Sequence, residues 1–285
     1  MDWLSSNLKV YEPYEPPQRY YYWALLSAVS AVVKDHIYFN RKIYNLYCNS
    51  YCLLYGPSAV KKGPPIALAK RLVSLVDNTR VINGRATVEG MMKELATIKT
   101  KPNKEIINDN CGFVVSSELS SSIVANNSSL DVMTDLFDRI YNEGEWNYIL
   151  KNEGGLKFKN PTITWLSGSN EALFKDFVPE KNLKGGLIGR MFIIAEKSPN
   201  CLNSLMVEEE GEKLPIVQEI ASGLTHLKNL KGEFKASKQV RSDFDQWYIK
   251  FHKEIAPKIH DETGTVGRID DSILKLAMLV STARR

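Results

Sequence analysis

One segment of the sequence has the residue types and spacing needed to bind phosphate. It is a short loop that follows an apolar run and consists of Gly56, Pro57, Ser58, Ala59, Val60, Lys61, Lys62 and Gly63. In loops of the pattern G-x-x-x-x-G-K-[ST], glycines let backbone N–H groups surround the phosphates, the lysine neutralises the β- and γ-phosphates, and the hydroxyl holds Mg²⁺. Gly56 and Lys62 match that pattern. We therefore expect this loop to bind the phosphates of a nucleotide.

Two positions of the loop depart from the pattern. Lys61 replaces the second glycine, which is a modest change provided that Lys61 avoids a positive φ. Gly63 lacks the hydroxyl that would bind the metal, and Pro64 and Pro65 remove two N–H donors near the start of the next helix. The departures favour anion binding over hydrolysis. The structural alternative is a Gly/Pro turn with solvated lysines.

The elements around the loop alternate in the order of a parallel α/β sheet. The loop follows Tyr51–Tyr55, an apolar run typical of a buried parallel strand, and precedes a helical pattern at residues 66–76. Further strands are predicted at 111–116 and 162–166, and further helices at 19–34, 87–98 and 130–141. This alternation predicts the α/β class, with a parallel sheet flanked by helices.

The same patterns divide the chain into three parts. Residues 1–17 have three prolines within five positions and no periodicity, which predicts an extended N-terminal arm. Residues 18–213 contain the α/β core. Residues 214–285 form a helical lid, with helices predicted at 217–227, 240–255 and 270–283. Because the last helical pattern runs to Arg285 without a capping glycine or proline, we expect a truncated lid, that is, a piece of a longer protein.

Composition excludes several classes of protein. A chain of 285 residues with 44% hydrophobic residues folds around a core and is not disordered. The net charge of +4 is small, so any polyanion site must be local. Four cysteines without zinc-site spacing indicate reduced thiols. No signal peptide or membrane-spanning run is present, so we expect a cytoplasmic protein, in its own cell or in a host cell, without a membrane partner.

Four polar residues follow or flank the predicted elements. Glu118 comes shortly after the strand at 111–116, and Asn170 follows the next strand. Arg190 lies in a glycine-rich segment and Arg268 precedes the last helix. Each has an ordinary structural alternative. Glu118 would then be a helix-start carboxylate, Asn170 a helix N-cap, and each arginine a solvated side chain.

In their order along the chain, these segments resemble the AAA+ P-loop ATPases. The resemblance covers residues 43–283 and is closest to the helicase-like proteins of phages, plasmids and other mobile genetic elements, with minichromosome-maintenance and superfamily 3 helicases more distant. It implies ATP and Mg²⁺ as cofactors. By the same resemblance, Glu118 belongs to a Walker B strand that has lost its first acid at Ser117. Asn170 is then a sensor of the γ-phosphate or lytic water, Arg190 an arginine finger, and Arg268 a sensor-2 arginine.

The resemblance also implies a contact with DNA. Residues 146–160 contain two β-prone arms around an Asn-Glu-Gly-Gly turn, which predicts a hairpin. In the resembled helicases a hairpin at this place points into the central pore and grips the DNA backbone. Lys151, Lys157 and Lys159 would then bind phosphates without base specificity. The alternative is an exposed edge hairpin whose lysines discourage aggregation.

These features support three functions. The first is an ATP-driven replicative helicase or translocase, a homo-hexameric ring acting on single-stranded or forked DNA. The second is a catalytically degenerate P-loop module that binds DNA or a partner without hydrolysing ATP, as Lys61, Gly63, Pro64 and Ser117 favour. The third is a P-loop enzyme acting on a small substrate, such as a nucleotide kinase. Of the three, we expect the first.

Overall fold

The architecture is built on a five-stranded sheet in which every strand is parallel. A computed structural model describes residues 2–84, 87–100, 106–107, 109–122, 127–138, 145–150, 154–178, 186–202 and 213–285. The strands of the central sheet are β3 (Tyr51–Tyr55), β4 (Val81–Asn83), β7 (Cys111–Ser116), β10 (Thr162–Ser169) and β11 (Met191–Ala195). Their spatial order is β11, β3, β10, β7, β4. With helices on both sides, this sheet confirms the predicted α/β class.

The helices of the described residues flank the sheet or form the C-terminal part. They are α1 (Trp3–Val10), α2 (Gln18–Val33), α3 (Gly63–Leu75), α4 (Val88–Ala96), α5 (Leu119–Ser122), α6 (Asn127–Asp138), α7 (Glu171–Phe177), α8 (Lys213–Lys228), α9 (Lys238–Lys250) and α10 (Ile269–Ala283). Three 3₁₀ turns at Ile188–Arg190, Ala256–Lys258 and Val266–Arg268 and one π turn at Phe251–Ile255 complete them. The remaining strands are β1 (Ile37–Asn40), β2 (Asn45–Tyr47), β5 (Lys99–Thr100), β6 (Ile106–Ile107), β8 (Glu145–Leu150), β9 (Gly154–Lys159) and β12 (Gly232–Glu233).

The central strands are buried on both faces. Every residue of β7 and β10 is buried, as expected for parallel strands covered by helices on both sides. Alternate residues of β3 contribute to two different hydrophobic clusters. Cys52 and Leu54 pack with α2, α3, α8 and α10, whereas Tyr51 and Leu53 pack with α4 and α6. The period of two along each strand thus divides the core into two layers.

The N-terminal residues differ from the predicted extended arm. Residues 3–10 form helix α1, whose first turn is capped by Asp2, which accepts a hydrogen bond from the Ser5 amide. Trp3 is buried, and its indole Nε1 donates to the Ile220 carbonyl of α8 at 3.2 Å. The prolines that suggested an extended arm begin only at Pro13, so they do not prevent a helix before them.

Two central strands, β4 and β11, were not predicted. β4 has only three residues, too few for a periodic signal, and β11 directly follows a glycine-rich segment that obscured it. In the described part of the chain, no helix combines the length and hydrophobicity needed to cross a bilayer.

Candidate phosphate-binding site

The loop lies where the sheet topology favours ligand binding. β3 and β10 are neighbours, yet the chain leaves them in opposite directions, from β3 to β4 at one side of the sheet and from β10 to β11 at the other. We call the end of the sheet where its strands finish the carboxyl edge, and the other end the amino edge. Open α/β sheets bind ligands outside the carboxyl edge at such a divergence. The Gly56 amide donates to the Ser169 carbonyl at 3.2 Å and joins the two strand ends there.

Gly56 is required by the close approach of its neighbours. A Cβ at this position would lie 2.4 Å from the Glu196 carbonyl oxygen and 2.8 Å from the Tyr20 hydroxyl. That hydroxyl in turn donates to the Tyr55 carbonyl at 2.6 Å. Because the shortest of these contacts is to a backbone oxygen, a side chain at position 56 would displace the start of the loop. The lack of space at position 56 therefore explains the first glycine of the pattern independently of any ligand.

Lys62 is buried under its own loop. Its Nζ donates to the carbonyls of Gly56 and Pro57, each at 2.8 Å, and the residue is 6% exposed. Burial lowers the pKa of the Lys62 ammonium, and the negative charge of Glu118 opposes that shift. The loop thus holds one positive charge at its centre, with a carboxylate from another element close enough to interact with it.

The backbone of the loop offers several N–H donors. The Val60 amide donates to the Pro57 carbonyl at 3.2 Å and closes a turn. Five other backbone N–H groups of the loop donate to no acceptor among the described residues, namely those of Ser58, Ala59, Lys61, Lys62 and Gly63. Amides at the start of a helix are favourable anion donors, and α3 begins at Gly63. The loop therefore provides the donors that a phosphate chain requires.

Lys61 adopts the left-handed conformation that its side chain disfavours. Its φ is +60°, whereas the replacement of glycine by lysine was expected to be a modest change only if φ were negative. Glycine adopts this left-handed conformation freely. For a residue with a side chain the same conformation costs about 1–2 kcal/mol. The Lys61 ammonium pairs with Glu15 at 3.0 Å, a partly exposed contact.

This conformation gives a prediction for stability. Lys61→Gly should be more stable than Lys61→Ala by about 1 kcal/mol, because both lack the ion pair with Glu15 and only alanine keeps the strained φ. Urea unfolding of the two variants measures the difference. Equal stability would mean that residue 61 has an ordinary negative φ in solution.

Glu118 and Asn170 reach the same edge from β7 and β10. Burial raises the pKa of the Glu118 carboxyl, and the Lys62 charge lowers it. The turn that carries Glu118 is held by Ser116, whose hydroxyl donates to the Glu118 carbonyl at 2.7 Å. Asn170 is the N-cap of α7, accepting from the Leu173 amide at 3.0 Å, so its structural alternative is confirmed. Its Nδ2 also lies 3.5 Å from the Ser58 hydroxyl, so the same amide faces the loop.

Arg190 and Arg268 lie away from the loop. Arg190 directly precedes β11 and so occupies the amino edge, where it forms a two-pronged ion pair with Asp138, its Nε donating at 2.8 Å. The Arg190 side chain is 9% exposed, which rules out the solvated alternative for it. Arg268 Nη1 donates to the Gly264 carbonyl at 2.7 Å. Both arginines line one cavity of about 420 Å³. Asp138 had not been predicted, because 52 residues separate it from Arg190 and no local pattern joins them.

The predicted hairpin is confirmed. β8 and β9 are antiparallel, with Trp146 opposite Phe158 and Asn147 opposite Lys157. Phe158 is buried, while Lys157 and Lys159 are exposed on the other face of β9. Lys151 lies outside the described residues. Since β10 starts directly after β9, Lys157 and Lys159 belong to the amino edge.

The donors present fit a triphosphate better than a dedicated metal site. Within the described ranges, no group of three His, Cys, Asp or Glu residues is placed to hold a metal ion. Mg²⁺ in nucleotide sites commonly needs only one or two protein ligands besides phosphate oxygens and water, so Glu118 is the residue that would approach it here.

The sequence matches no protein-family model and no curated protein.

Proposed function

We propose that this chain binds ATP at residues 56–63 and uses its hydrolysis to move along, or unwind, DNA as a ring-shaped oligomer, a homo-hexamer. One observation carries the proposal. Lys62, Glu118 and Asn170 come from three separate strand–helix junctions and meet at the carboxyl edge, around a loop whose amides are available for phosphate. A Gly/Pro turn with solvated lysines does not account for a lysine that is 6% exposed at that junction.

The residues of the loop divide the work of holding a triphosphate. The loop amides donate to phosphate oxygens, and Lys62 would exchange its two carbonyl acceptors for the β- and γ-phosphates. Bound ATP with Mg²⁺ supplies the phosphoryl group and the metal charge that hydrolysis needs. Glu118 orients and deprotonates the attacking water, a role that suits a carboxyl whose pKa is raised by burial. Asn170, whose amide lies beside Ser58 of the loop, would donate to the γ-phosphate.

The two arginines fit an action across a subunit boundary. β11 and β3 run side by side over five residues, with Arg190 just before one end and the loop just after the other, so Arg190 and Gly56 are about 20 Å apart along the strands. Arg190 therefore cannot contact a nucleotide on its own loop. In a ring, the amino edge of one subunit would approach the carboxyl edge of the next, where Arg190 and Arg268 would stabilise charge developing on the γ-phosphate.

The proposed DNA contact lies on strand β9 of the hairpin. Exposed Lys157 and Lys159 lie on the face of β9 that points away from the core. Two lysines with this spacing can bind successive phosphates, because residues two apart on a strand point to the same side. Such binding is independent of base sequence and weakens with added salt.

Steady-state hydrolysis of ATP with and without DNA tests the proposal. We expect Mg²⁺-dependent hydrolysis that rises when single-stranded or forked DNA is added and is lost in the Glu118→Gln variant. The Lys157→Gln/Lys159→Gln variant should lose the stimulation while keeping the basal rate. Hydrolysis unaffected by any DNA would point to a small-substrate enzyme instead.

The second candidate, a module that binds DNA or a partner without hydrolysing ATP, is favoured by Gly63. This residue occupies the position of the metal-binding hydroxyl, and among the described residues no atom lies within 4 Å of where its Cβ would be, apart from its chain neighbours and the backbone of its own helix. A serine therefore fits there without rearrangement. Absence of hydrolysis in the wild-type chain, together with tight ATP binding, would decide for this candidate.

Gly63→Ser should raise or create Mg²⁺-dependent hydrolysis, by roughly tenfold, because the added hydroxyl supplies the missing metal ligand. Gly63→Ala is the matched control, since it adds the same Cβ without the oxygen. Initial rates at several Mg²⁺ concentrations distinguish the two. An equal effect of both substitutions would mean that the hydroxyl does not reach the metal.

A further inference from the structure

The cavity at the amino edge has the features of a second ligand site. We call it the amino-edge cavity. Its volume of about 420 Å³ is within the range of small-molecule pockets. The end of α6, the residues around β2 and the start of α10 enclose it. The polar side chains that line it are those of Tyr44, Asp138, Arg190, Arg268, Asp271, Ser272 and Lys275.

Three glycines allow the two segments that carry the arginines to meet. A Cβ at Gly189 would lie 2.5 Å from the Thr263 carbonyl oxygen, so the turn before β11 touches the loop before α10. Gly186 and Gly264 both have positive φ values, +80° and +73°. A Cβ at Gly186 would lie 2.6 Å from Arg190 Nη1, and one at Gly264 would lie 2.3 Å from Arg268 Nη1. The local backbone is therefore shaped to accommodate two guanidinium groups.

The two guanidinium groups lie close together, and only one of their positive charges is neutralised by a carboxylate. Atoms of both lie within 4 Å of a single point, the position of a Cβ on Gly186. Asp138 neutralises Arg190. Within the described residues, Arg268 has no carboxylate within ion-pair distance, and its Nη1 donates to the neutral Gly264 carbonyl. Like charges at this separation repel each other, so an oxyanion between or beside them would be stabilised.

The other walls of the cavity add an apolar surface. Phe137, Leu46 and Ile43 line it together with the polar groups. The carboxylate of Asp271, which also lines the cavity, accepts from the Tyr44 hydroxyl at 3.2 Å and from Arg41 Nη1 at 3.0 Å, so its charge is already compensated. A ligand that matches this lining carries an oxyanion and an apolar group.

We propose that the amino-edge cavity binds a phosphorylated small molecule with an aromatic or apolar group, its phosphate held by Arg268 and Arg190 of one chain. The guanidinium group of Arg268 can donate to two phosphate oxygens at once, which the single ammonium group of a lysine does not do with the same geometry. The site uses no residue of the loop 56–63 and needs no second subunit. It does share Arg190 and Arg268 with the contact proposed above between one subunit and the nucleotide of its neighbour.

Equilibrium binding of phenyl phosphate, measured by isothermal titration at protein concentrations where the chain is monomeric, tests the proposal. Inorganic phosphate should bind more weakly than phenyl phosphate, and phenol should not bind measurably. Arg268→Gln should weaken phenyl phosphate at least about tenfold through the loss of charge-assisted hydrogen bonds. Arg268→Lys should recover part of that loss. Arg241→Gln, which removes the same charge from the exposed surface of α9, should change nothing.

A parallel titration of Lys62→Ala separates this site from the loop. Retained binding in Lys62→Ala supports the amino-edge cavity, whatever the outcome for ATP hydrolysis. Binding lost in Lys62→Ala but kept in Arg268→Gln would overturn the proposal and assign the phosphate to the loop. No binding of phenyl phosphate at millimolar concentration, or binding only where the chain assembles, would also overturn it. Thermal melting of each variant confirms that the folded chain is being titrated.

Discussion

Replacing Lys62 with alanine is expected to weaken ATP binding by roughly a hundredfold, whereas Lys61→Ala should change it by less than about threefold. The two lysines are adjacent and carry the same charge, but their side chains point to different surroundings. Lys62 is buried at the centre of the loop, while the Lys61 ammonium lies outside it and pairs with Glu15 at 3.0 Å. Lys61→Ala is thus a matched control for charge. Isothermal titration with ATP and Mg²⁺ measures both affinities.

The fold of Lys62→Ala must be checked, because Lys62 also bonds the carbonyls of Gly56 and Pro57. Lys62→Met keeps the length of the side chain and removes only the charge, so it should lose ATP binding with less change in melting temperature. Similar, small effects of all three substitutions on affinity would show that the loop is not a nucleotide site.

The second large effect is expected when two inactive variants are mixed. Removing Arg190 alone would leave Asp138 partly buried without its counter-ion, which is strongly destabilising. The suitable variant is therefore Arg190→Ala/Asp138→Asn. We expect it to lose nearly all hydrolysis while its ATP affinity stays within about threefold, because Arg190 lies at the opposite edge from its own loop.

Mixing this variant with Lys62→Ala should restore part of the activity. In mixed rings, some interfaces combine an intact loop with an intact Arg190 from the neighbour, and their number rises with protein concentration as association does. Asp138→Asn alone is the control, since it removes the ion pair and keeps the arginine. A mixture that forms rings yet remains inactive, or a chain that stays monomeric with nucleotide and DNA, would exclude the trans-acting role of Arg190.

Local patterns in the sequence predicted most of the central elements. The bounds predicted for β7 are those of the structure, and α2 and the β8–β9 hairpin lie within a residue or two of their predicted positions. These elements have strong period-two or period-3.6 patterns and clear turn residues, so their backbone conformation is determined by nearby residues. β4 has only three residues and β11 directly follows a glycine-rich segment, so neither was predicted, and the structure shows them as strands through their pairing with β7 and β3.

The amino-acid sequence alone predicts the loop, its order among the strands and helices, and the polar residues that follow each strand. Which of those residues meet depends on the tertiary structure. It placed Glu118 and Asn170 beside the loop, and it placed Arg190 and Arg268 together at the other edge, with Asp138. The order of parallel strands sets these distances, and strand order depends on crossover connections of many residues that no local spacing encodes. The left-handed φ of Lys61 has the same origin, since the surrounding packing imposes a conformation that lysine does not prefer.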